Sequence, residues 1–228
     1  MNKEIKIVTT ADGSNTLLLP EFDETYHSME GAFREAIHVF MLYGLEAWLI
    51  RNQGVQPIRI FEVGFGTGLN AWLTLVWAEQ NKIPVLYHSI EPFPVDKEIY
   101  SQLNYTEIDQ TIYHFAPYFN RLHEAPWDEG FIASEYFNMK KEKTTLEDAV
   151  LYHADVIFYN PFSKKTQAEL WDKSILEKVV ETMNPNAVLV TPSAENQLRS
   201  DLKSLGLEVE ILPGPSDKNE MTRARLLV

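Results

Sequence analysis

The chain has 228 residues, 45% of them hydrophobic, a net charge of −13 and no cysteine. That apolar content suffices for a sizeable core, while the missing cysteine excludes disulfides, thiolate nucleophiles and cysteine-ligated zinc. The charge opposes simple capture of nucleic acid, and no apolar run resembles a membrane span or a signal peptide, so a cytoplasmic protein with no membrane partner is expected.

The stretch IKIVTTADGSNTLLLPE (5–21) predicts two strands around the Asp12-Gly13 turn. SMEGAFREAIHVFMLYGLEAWLI (28–50) predicts a long helix, with Phe33, Ile37, Phe40, Met41 and Leu45 recurring at three- and four-residue spacing. PIRIFEV (57–63) reads as a buried strand, NAWLTLVWAEQ (70–80) as a helix and PVLYHSIE (84–91) as the next strand. Together they form a βαβ unit, which implies a parallel sheet.

Residues 92–149 are aromatic and turn-rich and read as a segment wrapping one face of the sheet. ADVIFYNPF (154–162) predicts another central strand ending in a turn. TQAELWDKSILEKVVETM (166–183) reads as one helix stopped by NPNA, AVLVTPS (187–193) as a strand, and ENQLRSDLKSLG (195–206) as a helix ended by Gly206. LEVEIL (207–212) and RARLLV (223–228) read as strands joined by PGPSDKNEMT. Alternation that closes in such a pair predicts an α/β, Rossmann-like doubly wound sheet with an antiparallel last strand, the class I S-adenosyl-L-methionine-dependent methyltransferase fold. Residues 1–50 are expected as an N-terminal β-hairpin and helix extension packed on a methyltransferase domain at 51–228.

Chemistry concentrates at RIFEVGFGTGLNAWL (59–73), where three alternating glycines follow a strand and open a helix. Glycine permits positive φ and lets a ligand touch the main chain, and free N–H groups at a helix start favour a polar ligand. Gly66, Gly68 and Ala71 satisfy the loose dinucleotide fingerprint. The fuller pattern Glu62-x-Gly64-x-Gly66-x-Gly68 has the acid-x-G-x-G-x-G form of an S-adenosyl-L-methionine loop. An acid there suits a cationic ammonium and sulfonium and repels a pyrophosphate. Glu91 ends the following strand, where a carboxylate accepts ribose hydroxyls in either ligand.

Other constellations point elsewhere or nowhere. The six histidines show no H-E-x-x-H spacing, so no metal is expected, and no G-x-S-x-G elbow exists. Glu35 and His38 fall on one helix face, where a structural pair and a role in the site are about equally expected. Trp127, Tyr136 and Phe137 are expected in the core rather than stacked on a base. Lys140, Lys141 and Lys143, then Lys164 and Lys165, then Lys218, Arg223 and Arg225 form clusters that read as solvated surface.

The chain resembles the methyltransferase-domain family of MnmC, which completes 5-methylaminomethyl-2-thiouridine at the tRNA wobble position. DGSNTL (12–17) and YHSMEGAFREAIHVF (26–40) are similar to its N-terminal signature, EVGFGTGLNAW (62–72) to its cofactor loop, and LHEAPW (122–127) to its mid-domain turn. NPFSKKTQAELW (160–171) stands where the family reads D-x-F-x-P…P-E-L/M-W, and PGPSDKNEM (213–221) resembles its closing P-G-x-x-G-K-R-E-M. The glycine loop is common to many methyltransferases; the N-terminal and closing signatures are far more specific. The chain departs from the pattern at three points: Asn160 replaces the family aspartate, Thr145 stands at the adenine-contacting acid, and the closing basic pair is Lys218 followed by Asn219.

The resemblance implies S-adenosyl-L-methionine as cofactor, held by Tyr26, Glu35, Glu62, Gly64, Phe65, Gly66, Thr67, Gly68, Asn70, Glu91 and Thr145. It implies catalysis at Asn160, Pro161 and Phe162, which are also similar to the N-P-P-F/Y motif of amine and amide methyltransferases. It implies substrate contacts at Lys164, Lys165 and Lys218, with tRNA as a weakly bound partner. Two-domain members carry a following FAD-dependent oxidoreductase. With the chain ending at Val228, a stand-alone form served by a separate oxidoreductase upstream is expected. Three readings stay open: this tRNA N-methyltransferase, a methyltransferase of the same fold acting on another amine, and a catalytically impaired module that retains the cofactor site. An NAD-dependent oxidoreductase is disfavoured by Glu62.

Overall fold

The computed structural model describes residues 4–215 and 220–227. Two sheets are built. The smaller holds β1 (Lys6–Thr9), β2 (Asn15–Leu19) and β3 (Glu24–Thr25), all antiparallel. The Asp12 carboxylate fixes the first turn by accepting the Ser14 N–H at 3.0 Å and the Arg34 N–H at 2.9 Å. The first hairpin is thereby tied to the start of the long helix α1 (32–51).

Within α1 the stretch Ala36–Glu46 is wound as a π-helix, whose hydrogen bonds run i→i+5. Ala32, Ala36, Phe40 and Gly44 are buried at the expected four-residue spacing. Met41 and Leu45 are buried as the sequence pattern predicts, whereas Phe33 and Ile37 sit at the half-buried margin. Gly44 is required by close packing, because a Cβ there would stand 2.9 Å from Val190 Cγ2 and 3.3 Å from the Phe158 ring. Phe40 meets Phe158 with ring centroids 5.1 Å apart.

The main sheet has eight strands in the order β10-β11-β9-β8-β4-β5-β7-β6. Its parallel centre is β4 (Ile58–Val63), β5 (Val85–Ile90), β7 (Phe137–Glu142), β8 (Ala154–Tyr159) and β9 (Met183–Thr191). β6 (Gly130–Ser134) runs antiparallel along β7, and β11 (Met221–Arg225) lies antiparallel between β9 and β10 (Glu208–Leu212). The antiparallel last strand of the class I methyltransferase fold is thus present. Side chains alternate faces along each strand. Val156 and Phe158 of β8 therefore pack with α1, α2 (Leu69–Asn81) and α3 (Ala116–Glu124). Ile157 and Tyr159 pack with α4 (Lys173–Val180) and α5 (Asn196–Ser204) on the other face.

Three expectations are corrected. Residues 166–183 do not make one helix: a short turn at Ala168–Trp171 is followed by Asp172 in extended backbone and then α4. NPNA stops nothing, because it lies inside β9, where Met183 and Val188 face Ala154 and Val156. Proline is tolerated in strands at such irregularities, and Asn184 Nδ2 donates to Asp155 Oδ1 at 2.7 Å across this one. The last strand starts at Met221 rather than Arg223 and ends at Arg225.

The segment 92–149 also contains more than a wrap, since α3, β6 and β7 lie within it. Lys141 of β7 is fully buried, donating to the Leu122 and His123 carbonyls at 2.7 Å each and lying 4.5 Å from the Trp127 ring centroid. Burial lowers its pKa to about 8. Arg223 and Arg225 are buried as well and share the Glu210 carboxylate at 2.7 and 3.0 Å. These three cations are therefore structural and not the solvated surface expected. No helix among the described residues is long and apolar enough to cross a membrane.

Candidate active site

The carboxyl ends of β4, β5, β8 and β9 open on one cavity of about 1480 Å³, which is the crevice where doubly wound sheets bind ligands. Its wall includes Gly64, Phe65, Gly66, Thr67 and Asn70 after β4, Glu91 after β5, Thr145 after β7, and Asn160, Pro161 and Phe162 after β8. The N-terminal segment completes it with Tyr26 and Glu35, and Lys164 lies on the rim. One space therefore collects most of the residues expected from sequence. Its size exceeds the roughly 300–1,000 Å³ of common ligand sites and leaves room for a cofactor and an acceptor together.

The glycine loop is held from three sides. Gly64, Gly66 and Gly68 all take positive φ, at 89°, 52° and 73°. Gly68 lies behind the wall, where an added Cβ would come within 2.7 Å of His123 Nε2 and 3.0 Å of the Phe65 ring. His123 is stacked on Tyr100 at 4.1 Å, and burial lowers its pKa to about 3. It is therefore neutral, with Nε2–H donating to the Thr67 carbonyl at 3.1 Å. On the opposite side His27 Nε2 lies 2.8 Å from Thr67 Oγ1. Trp127 packs edge-on against Phe65, and Phe137 is wholly buried, in agreement with the core assignment.

Glu91 is the third support. Its Oε2 accepts the Gly66 N–H at 3.0 Å and its Oε1 the Phe93 N–H at 2.9 Å. Burial pushes the carboxyl above its ordinary range, and these two N–H groups oppose that rise. Each oxygen keeps a lone pair for a ligand, since an ionised carboxylate has about four acceptor sites.

Glu62 sits elsewhere than the sequence argument assumed. It is fully enclosed beneath the loop and does not line the cavity. Ser89 Oγ donates to its Oε2 at 2.8 Å, and burial pushes its carboxyl up to about 8. A group of that pKa is mostly protonated at neutral pH, so it stiffens the floor and offers no negative charge to a ligand. Asn70, next to it, is 3% exposed and lines the cavity, and its Oδ1 has no hydrogen-bond partner among the described residues. A buried acceptor of this kind needs a donor, and the ammonium of an amino-acid ligand is one.

The remaining expected residues divide. Thr145 lines the cavity, with Oγ1 3.3 Å from Asp148 Oδ2. Glu35 accepts the Ser28 N–H at 3.0 Å, while His38 Nε2 meets the Pro213 carbonyl at 2.8 Å on the outer side. Lys165 is exposed and off the cavity wall, with Nζ 3.5 Å from the Phe22 carbonyl. Lys218 lies outside the described residues.

Sequence reasoning missed several parts of the wall, the segment 92–99 after β5 among them, and two show why. Residues 191–196, the end of β9, the loop after it and the first residue of α5, line the cavity, and the strand-end rule was the signal for them. Glu24 also lines it and binds Ser163, 139 residues away, for which no local signal exists. Among the lining residues eight are Asp or Glu and two are Lys. The wall is therefore acidic and suits cationic ligands.

A family model described as an S-adenosyl-L-methionine-dependent methyltransferase matches residues 136–226. The protein named tRNA 5-methylaminomethyl-2-thiouridine biosynthesis bifunctional protein MnmC from Cupriavidus metallidurans is 29% identical over 221 residues, covering 90% of this chain and 32% of the relative. Its namesake from Cupriavidus necator is 31% identical over 216 residues with the same coverage. The chain thus spans about a third of the length of these curated relatives. The crystal structure of MNMC2 from Aquifex aeolicus superposes with a TM-score of 0.79 at 25% identity, covering 98% of this chain and 70% of that one. With the sheet order, the glycine loop and the acidic cavity, these matches make the chain similar over nearly its whole length to S-adenosyl-L-methionine-dependent methyltransferases of the kind found in MnmC.

Proposed function

We propose that the chain is an N-methyltransferase that completes 5-methylaminomethyl-(2-thio)uridine at the tRNA wobble position, acting in the cytoplasm. One observation carries the reading. Asn160, at the end of β8, opens on the same cavity as the glycine loop and Glu91, so an amide acceptor and a cofactor site share one space. The names of the MnmC relatives supply the substrate class. Residues 1–50 and 51–228 are proposed to act as one unit, because Tyr26 and Glu35 join the wall.

When bound, S-adenosyl-L-methionine supplies an electrophilic methyl group carried on a sulfonium. Glu91 would take the ribose hydroxyls with the lone pairs its N–H partners leave. Asn70 Oδ1 and Glu35 would face the ammonium, Thr145 and its neighbours would border the adenine, and Phe65 and Thr67 would shape the pocket between them. Glu62 and Gly68 would support the loop from behind.

Methyl transfer needs a neutral amine, in line with the methyl group. The Asn160 carbonyl would accept one N–H of that amine and orient its lone pair, and Pro161 fixes φ in the turn that presents it. The nitrogen would gain the methyl group that the cofactor gives up on becoming a thioether, and the acidic wall would relay the amine's released proton to solvent. Most of the rate gain would come from position and desolvation. Lys164, Lys165 and Lys218 would contact phosphate. An FAD-dependent oxidoreductase would supply the aminomethyl precursor.

The acidic wall favours a second reading, transfer to a small cationic amine without tRNA. Incubating the protein with labelled cofactor and either hypomodified tRNA or the free aminomethyl nucleoside separates the two. Methylated wobble uridine in tRNA supports the first reading. Equal turnover of the nucleoside alone supports the second. Mass spectrometry of tRNA nucleosides from a strain lacking the gene tests the role in the cell.

A further inference from the structure

Glu24 lies in β3, paired with Leu19 of β2. Its carboxylate reaches the turn that follows Asn160. Oε1 accepts the Ser163 N–H at 2.5 Å, and Oε2 accepts Ser163 Oγ at 3.1 Å and the Thr166 hydroxyl. Three donors from one turn thus converge on one carboxylate, and hydrogen bonds to an ionised acceptor are roughly twice as strong as neutral ones.

The turn is also closed on itself. The Ser163 carbonyl accepts the Thr166 and Gln167 N–H groups at 2.9 Å each. Gln167 Oε1 accepts the Phe162 N–H at 2.8 Å, and Trp171 Nε1 donates to the Phe162 carbonyl at 2.9 Å. Such a turn moves as a rigid piece, so its anchor sets where all of it stands. Two residues from Glu24, the Tyr26 ring meets Phe162 edge-on with centroids 4.9 Å apart. The segment 24–26 therefore grips residues 162 to 166 at two points, immediately after Asn160 and Pro161.

We propose that Glu24 is a positioning residue for methyl transfer. With its carboxylate taken by these three donors, it is assigned no contact with amine or methyl donor. It anchors the turn at Ser163 and Thr166 and so fixes where the Asn160 acceptor stands. This rests on the assignment of Asn160 as the amine acceptor. A displacement of about 1 Å in a reacting geometry can cost on the order of a hundredfold, so loss of the anchor should be felt in turnover and little in cofactor binding.

The test combines Glu24→Ala, Glu24→Gln, Asn160→Ala and the double variant, with hypomodified tRNA as acceptor. Amide exchange at Ser163 should accelerate in Glu24→Ala, because its N–H loses its acceptor. Affinity for S-adenosyl-L-methionine should stay within about twofold, and kcat should fall on the order of ten- to a hundredfold. Glu24→Gln keeps one acceptor oxygen and should fall between. The double variant should be no slower than Asn160→Ala alone. A Glu24→Ala kcat within about twofold of wild type, beside a slowed Asn160→Ala, overturns the inference and leaves the Asn160 assignment intact. Multiplicative losses in the double variant also overturn it. Full activity in Asn160→Ala removes the Asn160 assignment and this inference with it. Should Glu24→Ala fail to fold, the double variant Ser163→Ala, Thr166→Val removes the two hydroxyl donors and leaves only the Ser163 N–H, and unchanged kcat in it overturns the inference.

Discussion

The Gly66 N–H points at Glu91, donating to its Oε2 at 3.0 Å. The end of β5 is thus stitched to the loop after β4, and the carboxylate that faces the cavity also fixes the curvature of the loop beside it. Because Oε1 takes the Phe93 N–H, the side chain has no rotational freedom left and presents its remaining lone pairs in a set direction. Glu91→Gln replaces one acceptor oxygen by an amide that cannot accept, so a ligand hydroxyl and a backbone N–H compete for what remains. Calorimetry should show S-adenosyl-L-methionine binding more than tenfold weaker, the equivalent of about 1.4 kcal/mol. Affinity within a factor of two would remove Glu91 from the proposed ribose site.

Glu62 gives a pH dependence of known sign. Its carboxyl, ordinarily near 4.5, is pushed up to about 8 by burial. Between those two pH values the folded chain holds a proton that the unfolded chain releases. The stabilising contribution is therefore complete below about 4.5 and is lost as pH rises through about 8. Across that window each pH unit costs at most ~1.4 kcal/mol from this one group. Glu62→Gln is similar in shape and cannot ionise. Its melting temperature should match wild type near pH 5 and exceed it by several degrees near pH 9. Parallel melting curves for the two proteins across that range would contradict a protonated Glu62.

The residues that defeated sequence reading share a physical cause. βαβ order, the closing antiparallel pair and the glycine loop were legible because each depends on local pattern: period-two burial, helix starts, and φ that glycine alone adopts cheaply. β7, with the sequence FNMKKE, was not. Its two lysines read as solvent-facing, and only the fold brings the Leu122 and His123 carbonyls to Lys141. Arg223 and Arg225 escaped in the same way, since Glu210 neutralises them across a strand pair. Glu62 was found as a motif residue but misjudged in charge, because burial cannot be read from an acid's position before a glycine. Glu24 is the extreme case, its partners lying 139 and 142 residues away.

Charge sets what tRNA binding can look like. Net charge is −13, the cavity wall carries eight acids against two lysines, and Lys141, Arg223 and Arg225 are buried. Few cations remain to neutralise phosphate near the site. The slope of log affinity against log salt scales with phosphates neutralised, at roughly 0.9 per duplex contact and 0.7 per single-strand contact. Filter binding of hypomodified tRNA should give a slope of magnitude about 3 or less, and Lys164→Ala should reduce it by about one contact. A slope corresponding to on the order of eight contacts would contradict this account.

Asn160 is where amine chemistry and electrostatics meet. It ends β8, half-buried in the wall, with Pro161 stiffening the turn and Phe162 held by Gln167, Trp171 and Tyr26. An amide oxygen there accepts from a neutral amine without favouring its protonated form. An aspartate would hold the amine more strongly, because charge-assisted hydrogen bonds are stronger, and a nearby negative charge raises an amine's pKa. Asn160→Ala should leave affinity for S-adenosyl-L-methionine nearly unchanged, since among the described residues the loop is hydrogen-bonded to Ile90 and Glu91 rather than to the Asn160 side chain. Its rate should drop more than about tenfold, roughly 1.4 kcal/mol of transition-state stabilisation. Asn160→Asp should stay active, with its rate–pH profile displaced to higher pH, because more of the bound amine is protonated at any given pH. Single-turnover rates between pH 6 and 10 measure both effects. An Asn160→Asp profile superimposable on wild type would show that residue 160 does not sense the amine's proton, and an unslowed Asn160→Ala would show that it does not hold the amine at all.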